Sequence, residues 1–198
     1  GEVFRKELKR LERTGEQFTV KQITDFYNQG LGIVEELDQA FDDYFGDDFE
    51  FIKAEDTLME RIGDFTEADY KFKGYIDLII KTKDGKYHII DYKSCSWGWD
   101  AKKRSDRMVT YQLTLYKNYW AQKMGIPMNM IETHFALLKR TAKVGKKVEV
   151  FRVTSGPRKT TNALNLLKKA LYNVNKQNHL KNRLSCQRCE FFNTQHCT

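Results

Sequence analysis

Proline occurs twice in the 198 residues and cysteine four times, so neither a proline-rich linker nor a chain-wide disulfide framework is written here. No stretch approaches the roughly 20 consecutive apolar residues of a membrane helix. The opening GEVFRKELKR lacks the apolar centre of a secretory signal. There is no glycine-rich phosphate loop, which excludes ATP-driven motor chemistry from what the chain encodes. Internal repeats and low-complexity segments are absent too. What remains is a cytosolic globular protein with one sizeable core.

Apolar residues make up 40% and charged residues 31%, an ordinary balance for such a protein. The charge is basic, 34 Lys+Arg against 27 Asp+Glu, or +7. The surplus gathers in AKKRSDR (101–107), KRTAKVGKK (139–147) and the C-terminal stretch. Such clusters suit a polyanionic partner, although a solvated basic surface has the same composition.

Apolar spacing predicts helices over 2–14 and about 19–45, with a break or kink at Gly30 and Gly32 in the second. Strands are expected at 49–62, 69–82 and 86–95, the first two joined by a turn around Gly63–Glu67. A helix over 105–124, capped by Ser105 and ended by Gly125 and Pro127, follows. Strands at 130–140 and 147–153 and a helix from Pro157 to about 178 complete the order. Three consecutive strands, a crossover helix and a further strand imply a mixed sheet with helices on its faces, an α/β domain over 1–178 with a helical N-terminal part (1–46) and a tail over 179–198.

Two of the expected strands carry charge where burial is expected. Tyr75-Ile76-Asp77-Leu78-Ile79-Ile80 holds one aspartate among large apolar residues, and Ile89-Ile90-Asp91-Tyr92-Lys93 ends on an aspartate and a lysine. Strand alternation puts Asp91 and Lys93 on one face and Tyr92 on the other. Whether Asp77 joins them depends on the hairpin. A two-residue Asp84-Gly85 turn pairs Asp77 with Tyr92; a three-residue Lys83-Asp84-Gly85 loop pairs Asp77 with Asp91. Gly85 suits the left-handed last position of a three-residue loop, and that loop is expected. Two adjacent carboxylates repel unless a cation joins them, and hard oxygen ligands suit Mg²⁺ or Mn²⁺. Lys93 could then orient a water or stabilise charge on a phosphate. The bland alternative is an Asp77–Lys93 ion pair, with Asp91 merely ending its strand.

Gly74-Tyr75-Ile76-Asp77, then Asp91-Tyr92-Lys93-Ser94, then Gln112-Leu113-x-x-Tyr116 resemble, in order and spacing, the PD-(D/E)XK nuclease superfamily, in its RecB-like branch of CRISPR-adaptation nucleases and phage exonucleases. The resemblance covers about 49–153 and implies a restriction-endonuclease-like core and metal-dependent cleavage of DNA. It puts the metal on Asp77 and Asp91, the water-assisting role on Lys93, and Gln112 and Tyr116 at the border of the site. It also suits a phage or prokaryotic source. A module that keeps the fold but only binds nucleic acid, and an RNA-cutting member, are the alternatives.

The tail CQRCEFFNTQHC resembles the end of RecB-like nucleases that hold a [4Fe-4S] cluster, which implies a cluster on Cys186, Cys189 and Cys197. The upstream fourth cysteine of those proteins has no counterpart before Cys95. The open readings are Cys95 or an upstream segment as fourth ligand, zinc with His179 or His196, or no bound group. For the family's further acidic or histidine ligand the candidates are Glu36, at the family's spacing after Gly32, and Glu55 on the first strand. Trp97 and Trp99 are candidates for base stacking, and His88 and His134 read as structural residues within strands.

Overall fold

Leu78, Ile79 and Ile80 on one strand and Ile89 and Ile90 on the next are all buried, which requires cover on both faces of the sheet. In the computed structural model, which describes residues 1–63, 70–180 and 183–197, these residues form the centre of a five-stranded sheet. β1 (Glu50–Arg61), β2 (Lys71–Lys81) and β3 (Tyr87–Cys95) form an antiparallel meander. β4 (Ile131–Lys139) runs parallel to β3, and β5 (Val148–Arg152) pairs antiparallel on its far side. The strand order is the chain order, β1-β2-β3-β4-β5. This is the expected mixed α/β sheet. The chain divides into two compact units, residues 1–160 and 161–198, and the whole sheet belongs to the first.

The helices are α1 (Glu2–Arg13), α2 (Val20–Phe45), α3 (Ala101–Ser105), α4 (Arg107–Met124) and α5 (Pro157–Asn175). A capping box between Thr19 and Gln22 starts α2. Gly30 and Gly32 do not break it. A Cβ on Gly32 would lie 2.9 Å from Cε of Lys147, so that glycine makes room for a long side chain laid across the helix. On the sheet side α2 sets Leu37, Phe41 and Phe45 against Leu78, Ile80, Ile90 and Ala136.

The helix expected over 105–124 is α4, and the short α3 precedes it. Asp100 caps α3 by accepting from Lys103 N, and Asp106 caps α4 by accepting from Met108 N. Ser105 instead turns its hydroxyl back to the carbonyls of Ala101 and Lys102. Gly125, left-handed at φ 66°, ends α4 as expected. The turn expected around Gly63–Glu67 falls mostly outside the described residues.

Candidate active site

The β2–β3 hairpin closes through Lys83-Asp84-Gly85, with Thr82 N donating to Lys86 O at 3.0 Å and Gly85 at φ 82°. Its register pairs Leu78 with Ile90 and Ile80 with His88, which carried one step further would align Asp77 with Asp91. The regular ladder stops at Leu78 and Ile90. Beyond it Tyr92 N donates to Asp77 Oδ2 at 2.6 Å, so a carboxylate takes the place of a ladder carbonyl where the strands part.

The parting has a cause further along the strands. Leu78 packs beneath Phe41 of α2, yet Gly74, of the same parity, lies against Tyr116 of α4. Strand side chains alternate strictly, so β2 must turn over between them. β1 turns over at the matching point: Ala54 lines a cavity beneath α2, whereas Asp56 accepts from Lys123 of α4 at 2.9 Å. Glu55, between them at φ 51°, takes up the rotation. Its neighbours pair with Leu78 and Ile76, which puts it opposite Asp77. Asp77 therefore stands at a bend, flanked by Asp91 on one side and Glu55 on the other.

Asp91 is 2% exposed. Its Oδ1 accepts from Gln112 Nε2 at 3.0 Å, and that same nitrogen donates to Tyr116 Oη at 3.0 Å. Lys93 Nζ pairs with the buried Oδ2 at 2.6 Å. Burial pushes the Asp91 carboxyl above its ordinary range; Lys93 opposes the shift and Asp77 adds to it. Tyr116 reaches the site because residue 74 is glycine. A Cβ there would sit 2.7 Å from Cε1 of the Tyr116 ring. Gln112 and Lys93 thus meet at Asp91, with Tyr116 behind Gln112, and Lys93 pairs with Asp91 rather than with Asp77, which is held by the Tyr92 amide.

Two carboxylates close enough to interact form a hard-oxygen donor set that fits a divalent cation. Asp77 also lines a cavity of about 510 Å³ with Asp38 of α2 and Tyr92. Burial, then the charges of Asp77 and Asp38, push the Tyr92 phenol up to about 12. Glu36 is committed elsewhere: its two oxygens accept from Gly145 N and Lys147 N at 2.7 Å each, tying α2 to the β4–β5 loop.

The residues flanking the site divide in role. Trp97 is 76% exposed, but Trp99 is buried against Phe135 and Phe151 beneath Lys103. Arg104 and Lys139, from the two basic clusters, are both spent on Glu149. Cys95 ends β3, and Cys186, Cys189 and Cys197 are free thiols. Among the described residues, those three do not gather as metal ligands; the group that does is His88, Glu132 and His134. Sequence reading placed both histidines as structural. The missed signal is the shared parity of Glu132 and His134 on one strand, facing a histidine on another.

A helix-flanked mixed sheet that brings two aspartates and a lysine to a bend in its central strands defines a class of phosphodiesterase scaffolds. The sequence pattern of one such family, the PD-(D/E)XK nuclease superfamily, matches residues 4–194, and the chain belongs to it. The fold is accordingly restriction-endonuclease-like, and members of the superfamily use divalent metals. Among solved structures, an Eubacterium rectale protein provisionally assigned as an exonuclease is 17% identical, with a TM-score of 0.56 over 95% of this chain and 68% of its own. The crystal structure of SSO0001 is 16% identical, with a TM-score of 0.48 over 96% and 76%. No curated protein matches.

Proposed function

We propose that this chain is a divalent-metal-dependent deoxyribonuclease, acting in an exonuclease-like way on DNA. The observation that supports the reading is the β2–β3 hairpin, whose register carried one step past Leu78 and Ile90 aligns Asp77 with Asp91, together with Lys93 against the second carboxylate. Asp77 and Asp91 would hold Mg²⁺ or Mn²⁺, which supplies Lewis acidity toward the scissile phosphate and lowers the pKa of a bound water. Asp77 is held in place by the Tyr92 amide, and Asp91 by Gln112, itself steadied by Tyr116. Lys93 offers an ammonium where negative charge grows on the phosphate and can steer a water toward it. Exposed Trp97 offers a stacking face for a base near the end of β3.

The test is cleavage of end-labelled single- and double-stranded DNA with Mg²⁺, Mn²⁺ or EDTA, by the protein and by Asp91→Ala and Lys93→Ala. Metal-dependent products from the unmutated protein, lost in both variants, are expected. A ladder that grows from one labelled end sets the polarity. Retained binding without cleavage by the unmutated chain would replace the reading with that of a binding module, and cleavage of RNA alone would move it to a ribonuclease.

A further inference from the structure

His88, Glu132 and His134 lie on β3 and β4, 44 and 46 residues apart in sequence, and their ligand-capable atoms fall within 4.8 Å of one another. The parallel register explains why. Glu132 pairs with His88 and His134 with Ile90, so all three side chains take the face on which Ile90 packs with Phe41 of α2. Asp91 takes the opposite face, toward Gln112 of α4. The group therefore lies on the other face of β3 from Asp91.

Its chemistry is that of a ligand set. His88 is 7% exposed and His134 2%, and His88 Nδ1 approaches His134 Nε2 at 3.0 Å. Two nitrogens bound to one tetrahedral ion at 2.0–2.1 Å stand about 3.4 Å apart, so a few tenths of an ångström admit the ion. Glu132 spends Oε1 on Lys86 and Arg152, at 3.2 and 3.1 Å, and Oε2 takes no hydrogen bond among the described residues. Phe45 and Tyr44 wall the imidazoles at 5.1–5.5 Å, and a cavity of about 500 Å³ lined also by Thr82, Lys83 and Asp84 leads to them.

We propose that His88, Glu132 and His134 bind a divalent transition-metal ion of the zinc class, cross-linking β3 to β4 beneath α2. Two imidazoles and one carboxylate select Zn²⁺ or Co²⁺ over Mg²⁺. The fourth position faces the cavity, with room for water. Lys86 and Arg152 oppose a cation, and Glu132 offsets them, which makes Glu132 the residue on which affinity turns.

The experiment uses the full chain with Cys186, Cys189 and Cys197 changed to Ser, stripped with chelator and titrated with Co²⁺ and Zn²⁺. One equivalent of Co²⁺ is expected to give visible d–d bands without thiolate charge transfer, and Zn²⁺ is expected to move the ¹⁵N resonances of two imidazoles. Adding Asp91→Ala leaves both signals in place. Glu132→Gln, which preserves shape, weakens Zn²⁺ by on the order of 10–100-fold, and His134→Gln abolishes the d–d bands. The fold of each variant is checked by circular dichroism; Glu132→Gln carries the test if His134→Gln unfolds. Imidazole resonances that ignore millimolar Zn²⁺, or an affinity unchanged in Glu132→Gln, would overturn the proposal. Either result leaves the nuclease reading to its own cleavage assay.

Discussion

The two ends of β3 solve the same problem with opposite chemistry. At the Asp91 end, a buried carboxylate is held by Gln112 and Lys93, and the strand alongside bends to bring Asp77 in. At the His88 end the sheet stays regular, and two imidazoles are buried neutral against aromatic rings. Burial acts on both, but it raises an acid and lowers a base. The carboxylate end is thus held in a form that gains from a cation or a proton. The imidazole end is already in the form that a soft or borderline metal needs. The contrast teaches that the polar groups in this core are sorted by face of the sheet as much as by position along it.

The comparison is broken most sharply by Asp91→Ala or Lys93→Ala. Either is expected to lower cleavage by about 10³-fold or more, while any Zn²⁺-induced rise in melting temperature persists. Loss of both effects together would show that the two ends are one site.

A second probe is acid. The His134 imidazole is held at about 3 when folded, against 6.5 as its ordinary value. Above pH 6.5 its contribution to stability is fully present. As pH falls from 6.5 toward 3, the unfolded chain binds a proton that the folded chain refuses, and stability is lost; His88 acts in the same direction. Chelator-treated His134→Gln should therefore show a shallower fall in melting temperature over that window than the unmutated protein. An identical slope would mean that His134 is not buried neutral.

Gly74→Ala sharpens the carboxylate end from a distance. The added methyl meets the Tyr116 ring, so a loss of about 1–3 kcal/mol in stability is expected by denaturant titration, with cleavage reduced as Gln112 loses its support. Smallest is the effect of Asp91→Asn on the metal-free protein. Its raised carboxyl favours the protonated folded state, so the stability it lends is present at low pH and lost as pH rises through its folded value. At neutral pH in EDTA the neutral amide should melt slightly higher, although it cleaves nothing. A clear drop in melting temperature would make the Lys93 ion pair worth more than the burial it offsets.

Much of the carboxylate site was legible in the chain because its rules are local. Alternation fixes Asp91 and Lys93 on one face, and Gly85 at the end of a three-residue loop fixes the register that pairs Leu78 with Ile90, next to Asp77 and Asp91. Helical spacing fixes Gln112 and Tyr116 on one side of α4, where they do meet. Local rules also misled. Gly30 and Gly32 weaken a helix by propensity, yet α2 runs through them into its C-terminal half, where Leu37, Phe41 and Phe45 pack on the sheet. Ser105 is a fair cap by residue type, but Asp106 takes that place at the start of α4, and Ser105 ends a short helix capped by Asp100.

What the sequence by itself determined is the set of strands, the loop that joins β2 to β3, and the acids and lysine that loop aligns. Neighbouring residues and backbone geometry are enough for that. Only the tertiary structure decided the turn-over of β1 and β2 at Glu55 and Asp77, since a rotation shared by two strands is set by two helices competing for their faces. It alone also decided that His88 would meet Glu132 and His134. A parallel pairing across a crossover helix has no turn to set its register, so the match comes from how α4 and the whole sheet pack.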